Sequence, residues 1–350
     1  MSRRIALRPP GSTPPALRRP CAVVPVDGVG VQLAAPPRSS RPLRAWPSRS
    51  SRRRPRWPLL AVVAICATLA AGCGSSSRSS SGPSSASAAR GHGPVDVLYA
   101  GSLEQLMDAR VGPAFQKAAG YTFSGFPGGS DELAAEIRGK VRQGDVFLSA
   151  SPKVNAKLMG ASGGHWVSWF APFASTRLVL GYNPSSRFAS ALRSRPWYDV
   201  VAAPGFRLGL TDPKLDPKGV LAVAALDRAA AAEHRPALRR IAADHADYFP
   251  EEDLVGRLQS GQLDAGFFYT VEASAVKLHT VGLGSIDERA EYTITVLDRA
   301  PHPAAARAFV KFLLSPRGLS ALRSAGLDAH SPARAVGSGV PAALASVIRR

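Results

Sequence analysis

From Val95 onwards, short apolar runs alternate with amphipathic stretches, and this alternation constrains the fold more than any other feature of the chain. Short apolar runs bounded by turn residues predict strands, whereas apolar residues at every third or fourth position predict helices. Such alternation is typical of an α/β fold, in which helices flank a sheet. The predicted strands are 95–100, 121–126, 145–149, 173–182, 206–210, 263–269 and 291–297. The predicted helices are 102–119, 130–141, 220–233, 304–314 and 317–325.

The length of the chain indicates how these elements are divided. Its 350 residues exceed the roughly 100 to 200 residues of an average domain. We therefore expect two lobes, each with its own hydrophobic core. Residues 329–350 follow the last predicted helix, and we expect them to form a loose C-terminal tail.

The formal net charge of +19 would by itself suggest a nucleic acid or an anionic membrane as partner. Most of the excess lies at the start of the chain, because residues 1–57 hold 13 of the 44 Lys and Arg residues and one acid, Asp27. The charges beyond residue 57 are dispersed, without the basic stripe interleaved with aromatic residues that nucleic acids require. The sequence therefore argues against nucleic-acid binding.

An export signal precedes the α/β region. Four arginines within residues 52–56 are followed by an apolar run over 59–70, then small residues and Cys73. The run is about a dozen residues long, whereas a bilayer-spanning helix needs roughly 20, so residues 58–72 predict a signal peptide rather than a permanent anchor. Leu-Ala-Ala-Gly-Cys, ending at Cys73, resembles the lipobox of bacterial lipoproteins. We expect Cys73 to carry a lipid; an ordinary signal peptide is the alternative.

The segments on either side of this signal have simple compositions. Residues 73–94, rich in Ser and Gly, predict a flexible tether. Residues 1–57, rich in Pro, Arg and Ser, predict a disordered basic leader. Because export signals usually have about 15 to 30 residues, we expect that the start codon is assigned too far upstream. Cys21 and Cys66 precede the expected cleavage site and the lipid would block Cys73, so we expect the exported chain to have neither a free thiol nor a disulfide.

Two predicted strands end in a Gly-Ser pair that opens a helix. Gly101–Ser102 follows the strand 95–100, and Gly129–Ser130 follows the strand 121–126. Two such turns side by side aim helix N-termini and hydroxyl groups at one crevice, where free N–H groups and helix dipoles favour an anion. Each serine alone also fits a helix N-cap, and Ser102-Leu-Glu-Gln is a capping-box pattern. Each serine is therefore either an anion ligand or a helix cap.

Six short motifs in order carry a family resemblance. They are Tyr99-Ala-Gly-Ser-Leu, Gly128-Gly-Ser, Gly144-Asp-Val-Phe-Leu-Ser, Leu178-Val-Leu-Gly-Tyr-Asn-Pro, Thr211-Asp-Pro-Lys-Leu-Asp-Pro-Lys-Gly and Leu263-Asp-Ala-Gly-Phe-Phe-Tyr. Together, over about residues 95–328, they resemble the molybdate/tungstate-binding proteins of ABC importers. The motifs are more specific for the fold than for the ligand.

The resemblance implies a periplasmic-binding-protein fold of two α/β lobes, each a mixed sheet flanked by helices, with the ligand cleft between them. Lobe I then comprises residues 95–175 and 291–328, and lobe II comprises residues 176–290, with crossovers near Ser175 and Glu291. Ser102 and Ser130 match the oxyanion ligands of lobe I. Asp216 matches a cleft aspartate of the archaeal-type tungstate binders.

The chain departs from the family pattern in lobe II. Lys218 stands where those proteins have a different residue, and their second carboxylate falls at about the position of Phe268; the nearest acid here is Glu272, one helical turn later. A carboxylate beside a dianion is costly unless the metal centre takes it as a ligand. Asp216 is therefore either a selectivity element or an N-cap of the following helix. Tyr269 either donates its phenol to the oxyanion or packs within lobe II.

Catalytic and metal patterns are weak by comparison. Residues 160–164 match G-x-S-x-G but follow a predicted helix rather than a strand, which argues against a nucleophile elbow. The seven histidines show no metal-ligand spacing. Ferric-iron binders of this fold usually show adjacent tyrosines, whereas Tyr269 stands alone in the sequence.

The sequence thus predicts an exported, lipid-anchored and monomeric solute-binding protein without a catalytic site, metal or cofactor. Its expected ligand is molybdate or tungstate, and its expected partner is an ABC transporter permease. A sulfate, phosphate or ferric-iron binder is the alternative on the same fold. A lipoprotein enzyme or a sensory module that reuses the fold is the alternative from another class.

Overall fold

A computed structural model describes residues 91–244 and 248–350. The leader over 1–57, the signal peptide over 58–72, Cys73 and the tether up to residue 90 lie outside these residues. None of the helices in the described ranges is long and apolar enough to cross a bilayer.

Seven strands of the described residues fall close to the predicted ranges, and six shorter ones, of two or three residues each, were not predicted. In chain order they are β1 (Pro94–Ala100), β2 (Thr122–Gly128), β3 (Val146–Ser149), β4 (Trp169–Tyr182), β5 (Leu208–Thr211), β6 (Tyr248–Phe249), β7 (Ala265–Tyr269), β8 (His279–Val281), β9 (Arg289–Val296), β10 (Asp328–Ala329), β11 (Ala333–Arg334), β12 (Val336–Gly337) and β13 (Ile348–Arg349).

The helices alternate with the longer strands. They are α1 (Glu104–Leu106), α2 (Gly112–Ala119), α3 (Ser130–Arg138), α4 (Pro152–Ala156), α5 (Gly160–Gly163), α6 (Ala189–Ser194), α7 (Trp197–Val201), α8 (Pro217–Ala232), α9 (Ala237–Ala243), α10 (Glu251–Gln259), α11 (Thr270–Ala275), α12 (Pro303–Leu313) and α13 (Pro316–Ser324). A 3-10 turn, Gly101–Leu103, and a π-helical turn, Met107–Val111, join α1 and α2 into one helical segment, as predicted over 102–119.

Local sequence explains several of these boundaries. Four of the helices begin with proline, namely α4, α8, α12 and α13. Proline suits the first helical position because its fixed φ is helical and its missing N–H would have no partner there. Helix α2 ends at Gly120, whose φ of 83° is left-handed and is readily adopted by glycine.

The main sheet has the strand order β2-β1-β3-β9-β4-β7-β5-β6, and β8, β10 and β12 also pair with β4. Strands β2, β1 and β3 are mutually parallel, and so are β6, β5 and β7. The antiparallel strands β9 and β4 join these two groups. The prediction of a mixed α/β fold is therefore confirmed.

Strand β4 pairs with a different strand in each part of its length. Its residues Ala171 to Arg177 pair with β9, and Leu178 to Tyr182 pair with β7. Ser175 lies opposite Glu291, so the two predicted crossover positions are neighbours in the sheet. The residue boundaries of the two lobes stay a prediction, and we use the names lobe I and lobe II for the ranges given above.

Strand β4 begins four residues earlier than predicted. Pro172, directly before the expected start at Phe173, has no N–H to donate to a ladder. The ladder with β9 shifts register between Pro172 and Ala174, so a β-bulge accommodates the proline and pairing continues back to Ala171. Trp169 then pairs with Gly337 of β12.

The C-terminal segment returns to lobe I. Phe309 on α12 lies edge to face against Phe115 on α2, with ring centroids 5.2 Å apart, and stacks on Phe123 of β2 at 5.7 Å. Phe115 and Phe309 belong to one hydrophobic cluster that also contains Val97 of β1, and Phe123 packs against it. Aromatic contacts of this kind fix how α12 packs against the sheet.

Residues 329–350 do not form the loose tail that was expected. Strand β12 pairs with β4, β11 pairs with β13, and Leu344 and Ile348 are buried. The segment lacks a helical or strand-length periodicity because its strands have only two residues each. Its order comes from burial against lobe I rather than from local propensity.

Candidate functional site

The two Gly-Ser turns lie side by side at one edge of the sheet. Strand β1 is parallel to β2, and the last residue of each strand, Ala100 and Gly128, are partners in the ladder. Gly101–Ser102 and Gly129–Ser130 follow directly, so both turns leave the carboxyl ends of neighbouring strands. In open α/β sheets this edge is where ligands bind.

Neither serine caps its helix. The hydroxyl of Ser102 lies 2.8 Å from that of Tyr292 on β9, and the hydroxyl of Ser130 accepts a hydrogen bond from the N–H of Ala150 at 3.1 Å. The residue that precedes α3 is Gly129, and no side chain caps that helix. The capping interpretation is therefore wrong for both serines. Both side chains are buried.

The helix N-terminus behind the second turn already has a partner. The N–H groups of Asp131 and Glu132 donate to the carbonyl of Leu215 in lobe II, at 2.9 and 3.0 Å. A Cβ atom on Gly129 would lie 2.6 Å from that carbonyl oxygen, so only glycine permits this approach. The expectation that these N–H groups are free is corrected, because lobe II occupies them.

Asp216 caps helix α8 and still has a second oxygen facing the site. Its Oδ1 accepts the N–H of Lys218 at 3.0 Å, which confirms the N-cap prediction. Its Oδ2 is buried and makes no hydrogen bond with any described residue. Burial, reinforced by the charge of Glu251, raises the pKa of Asp216 to about 8. Near neutral pH this carboxyl group is therefore largely protonated and can donate a hydrogen bond.

Glu272 holds Lys218 rather than pointing freely into the cleft. Its Oε1 accepts the N–H of Tyr269 at 2.6 Å, and both of its oxygens accept from Lys218 Nζ, at 3.0 and 3.1 Å. Burial raises the pKa of Glu272 to about 7, and the nearby ammonium opposes that rise. Glu251, at the start of α10, is the second carboxylate beside Lys218, with Oε1 3.2 Å from Nζ.

Tyr269 does not stand alone in the structure. Its ring is fully buried and lies edge to face against Tyr292, with centroids 6.3 Å apart. The hydroxyl of Tyr269 makes no hydrogen bond with any described residue. Burial raises the pKa of both phenols well above the usual value, so both remain protonated and able to donate.

Glu251 and Tyr292 are functional-site candidates that sequence reasoning missed. Glu251 opens a run of three acids after Pro250, which is the ordinary pattern of a helix start favoured by the helix dipole. Tyr292 lies within an apolar strand, a pattern that indicates a core position. Only the packing of β9 and α10 against the Gly-Ser turns brings these side chains to the site.

A second cluster of ionisable groups lies at the opposite end of β1. Ligand atoms of Asp96, Asp145 and His302 all lie within 4.8 Å of one another. The Asp145 carboxylate is already engaged: it accepts the backbone N–H groups of Asp96 and His302, and His302 Nδ1 lies 3.0 Å from it. This cluster joins the start of β1 to the approach to α12, which is a structural role.

The family of bacterial extracellular solute-binding proteins matches residues 95–328. An uncharacterized solute-binding protein of Petrotoga mobilis is 25% identical over 287 residues, covering 70% of this chain and 86% of that protein. A molybdate/tungstate-binding protein of Pyrococcus abyssi is 23% identical over 299 residues, covering 69% and 86% of the two chains.

Solved structures support the same fold. The periplasmic molybdate-binding protein of Azotobacter vinelandii has a TM-score of 0.52 at 18% identity, covering 67% of this chain and 98% of that one. The sulfate-binding protein SubI of Mycobacterium tuberculosis has a TM-score of 0.53 at 16% identity, covering 68% and 87%. At these identities the likeness shows only the fold, which is two-lobed, as the motifs predicted. Because the family match extends over 234 of its 350 residues, this chain belongs to the bacterial extracellular solute-binding proteins.

Proposed function

We propose that this chain captures a tetrahedral oxyanion, molybdate or tungstate, for an ABC importer, between the two Gly-Ser turns of lobe I and the buried polar groups of lobe II. The observation that carries the proposal is the position of the two turns. They leave paired parallel strands side by side, and neither serine is used as a helix cap. Buried hydroxyls without a capping role, at the ligand-binding edge of the sheet, suit hydrogen bonding to an anion.

The donors around this edge suit an oxyanion. Ser102 and Ser130 supply hydroxyls, Tyr269 supplies a buried phenol without another partner, and Lys218 supplies the positive charge. Asp216, with its pKa raised to about 8 mainly by burial, is mostly neutral near pH 7 and repels a dianion less than an ionised carboxylate would. Donors that face a buried anion must be numerous, because each charge that loses water needs replacement hydrogen bonds.

Molybdate and tungstate are preferred to sulfate and phosphate for a chemical reason. A carboxylate can enter the coordination shell of molybdenum or tungsten, whereas sulfur and phosphorus in their oxyanions take no further ligand. Asp216, which would release its proton on entering that shell, has an oxygen without a hydrogen bond beside the second turn, where a Cβ on Gly129 would lie 3.5 Å from Asp216 Cβ. The similarity to the Pyrococcus protein supports the same choice.

Ligand binding to the purified protein tests this proposal. Molybdate, tungstate, sulfate, phosphate and ferric iron are each added in a thermal melt, since a ligand that binds the folded state raises the melting temperature. Calorimetric titration then ranks the dissociation constants. We expect the largest shift with molybdate or tungstate. A shift with sulfate alone, or with none of the oxyanions, would contradict the proposal.

Ferric iron is a second candidate, and one observation favours it. Tyr269 and Tyr292 lie ring against ring, close to the carboxylates of Glu251 and Glu272, and phenolates and carboxylates are ligands for hard cations. Against it, burial raises the pKa of both phenols, which disfavours the phenolate form, and Lys218 adds a positive charge. The ferric arm of the thermal melt distinguishes the two candidates.

Export and membrane attachment form a separate part of the proposal. The family is extracellular, and the apolar run followed by Cys73 supports a lipid-anchored chain that acts outside the cell membrane. The monomeric state and the partner permease stay predictions. A reporter fused to residues 1–90 should fractionate with membranes and become soluble when Cys73→Ser is introduced. Unchanged fractionation would contradict the lipid anchor but not the binding function.

A further inference from the structure

Lys218 is a buried ammonium group between two carboxylates. Its side chain is 1% exposed, and Nζ lies 3.0 Å from Glu272 Oε1 and 3.2 Å from Glu251 Oε1. The rings of Phe268 and Tyr269 lie beside it, with Nζ 5.6 and 5.8 Å from their centroids. A lysine at such a site is unusual, because removing an ammonium from water costs several kcal/mol unless partners compensate.

The two carboxylates differ in how firmly they are held. Glu272 accepts three hydrogen bonds, one from the N–H of Tyr269 and two from Lys218. Glu251 is equally buried, but neither of its oxygens makes a hydrogen bond with any described residue. Among the described residues, its polar contact is the ion pair with Lys218. Glu272 is therefore the fixed partner of the ammonium, and Glu251 is the partner that is easier to replace.

Glu251 also touches lobe I at the proposed ligand position. A Cβ on Gly101 would lie 2.9 Å from Glu251 Oε2, so this oxygen packs directly against the first Gly-Ser turn. The carboxylate thus lies between that turn and the ammonium of Lys218. A negatively charged group already occupies the space between the donors that we assign to an oxyanion.

Two cavities meet at this side chain. One, of about 250 Å³, is lined by Gly101, Ser102 and Glu272; the other, of about 330 Å³, is lined by Gly129 and Asp216. Glu251 lines both. A rotation of its side chain away from Lys218 would join them into one space bordered by both Gly-Ser turns.

We propose that the Glu251 carboxylate pairs with the Lys218 ammonium at the place where the oxyanion binds, and that a bound oxyanion displaces Glu251 from Lys218. This inference rests on the proposed function, adds Glu251 to it and defines the role of Lys218. Lys218 is the cation that meets the ligand from lobe II. Glu251 competes with the ligand for Lys218, and this competition determines how strongly the affinity depends on the charge of the ligand. A dianion gains more than a monoanion from the exchange, because the Coulomb energy scales with the charge of the ligand.

The test compares Glu251→Gln with Glu252→Gln. Glu252 is the exposed neighbour on the same cavity wall, so this control removes one charge without touching Lys218. The probes are tungstate, a tetrahedral dianion, and perrhenate, a tetrahedral monoanion of nearly the same size. In Glu251→Gln we expect the tungstate Kd to fall about tenfold and the perrhenate Kd about threefold, beyond any change in Glu252→Gln.

The role of Lys218 is tested in the same background, because Lys218→Met alone leaves two buried carboxylates unpaired and is prone to unfold. Adding Lys218→Met to Glu251→Gln removes the cation together with its replaceable partner. We expect the double variant to bind tungstate at least about tenfold more weakly than Glu251→Gln, with a melt that confirms folding. Should the double variant fail to fold, the tungstate-to-perrhenate ratio of Glu251→Gln decides.

The outcomes separate this inference from the proposed function. If the wild-type protein binds tungstate and Glu251→Gln shifts tungstate and perrhenate by equal factors, or matches Glu252→Gln, the inference is overturned and the proposed function stands. If the wild-type protein binds neither anion, both fail. Tighter tungstate binding in Glu251→Gln, with the larger factor for the dianion, supports both.

Discussion

The two walls of the cleft present different kinds of polar group. The lobe I wall offers neutral donors on a rigid sheet edge, where Ser102 and Ser130 follow β1 and β2 directly. The lobe II wall offers ionisable side chains at helix starts, with Asp216 and Lys218 on α8 and Glu251 on α10. Neutral hydroxyls serve any tetrahedral oxyanion, whereas buried charges discriminate between anions of different charge and chemistry. In the proposed function, lobe I therefore accounts for binding an oxyanion at all, and lobe II for choosing one.

The largest effect is expected from the ammonium in the lobe II wall. Lys218→Met leaves Glu251 and Glu272 buried without their cation, and breaking a buried pair in this way costs about 3 to 5 kcal/mol in the free energy of unfolding. Urea denaturation measures the loss. Lys214→Met, at an exposed position four residues earlier, serves as the control and should change the free energy by less than about 0.5 kcal/mol. Equal stability of the two variants would show that the lobe II charges are not coupled.

A smaller effect, seen in affinity rather than stability, is expected from the lobe I wall. Ser102→Ala and Ser130→Ala each remove a hydrogen bond to a charged ligand, worth about 1.5 to 3 kcal/mol, so the tungstate Kd should rise about tenfold or more. Calorimetric titration measures it.

A serine that does cap a helix provides the matched control. Ser315 accepts the N–H of Gly318 at the start of α13. Ser315→Ala should lower stability by about 1 kcal/mol and leave the tungstate Kd unchanged. If Ser102→Ala and Ser130→Ala behave like Ser315→Ala, the lobe I wall does not bind the ligand.

The pH dependence of stability reports on Asp216. Burial and Glu251 raise its pKa in the folded protein to about 8, above its ordinary value of 3.8. Between these values the folded state keeps a proton that the unfolded state releases, so stability falls as pH rises, by up to about 1.4 kcal/mol per pH unit. Asp216→Asn removes this titration and should flatten the curve of unfolding free energy between about pH 4 and 8. Above about pH 8 the curves of the wild-type protein and Asp216→Asn should run parallel. If Asp216→Asn kept the wild-type slope between about pH 4 and 8, that result would contradict the raised pKa.

Selectivity offers the finest distinction. If the carboxylate of Asp216 coordinates the metal centre, Asp216→Ala should weaken molybdate binding while sulfate binding holds, because sulfur takes no further ligand and the mostly protonated carboxyl group repels sulfate little. The ratio of the two dissociation constants, measured by titration at one pH, is the readout, because it cancels effects common to both anions. Equal changes for molybdate and sulfate would assign Asp216 to helix capping alone.

Most of the secondary structure could be predicted because it depends on local patterns. The strand that becomes β1 is a run of apolar residues, and helix α12 has apolar positions at helical spacing. The start of β4 was predicted too late because a bulge accommodates Pro172, and pairing across β9 decides where a bulge forms. Residues 329–350 were expected to be loose because their short strands gain order only from the surface of lobe I.

The residues of the candidate site also divide into those that local sequence patterns predict and those that only the tertiary structure brings together. Ser102, Ser130 and Asp216 could be found from the sequence because each follows a strand or opens a helix, and such positions have recognisable local patterns. Glu251 and Tyr292 could not, because their own segments show only a helix start and a core strand. Their importance arises from neighbours 30 or more positions away, such as Lys218 and Ser102.

By itself the sequence determined the alternation of strands and helices, the order of the motifs and the residues at the ends of β1 and β2, because these depend on neighbours along the chain. The tertiary structure decided that the hydroxyl of Ser102 meets Tyr292, and that Leu215 takes the N–H groups at the start of α3. It also decided that Lys218 is buried between two carboxylates. The physical reason is desolvation: the energy of a charge or a hydroxyl depends on which distant groups exclude water from it, and only folding brings those groups together.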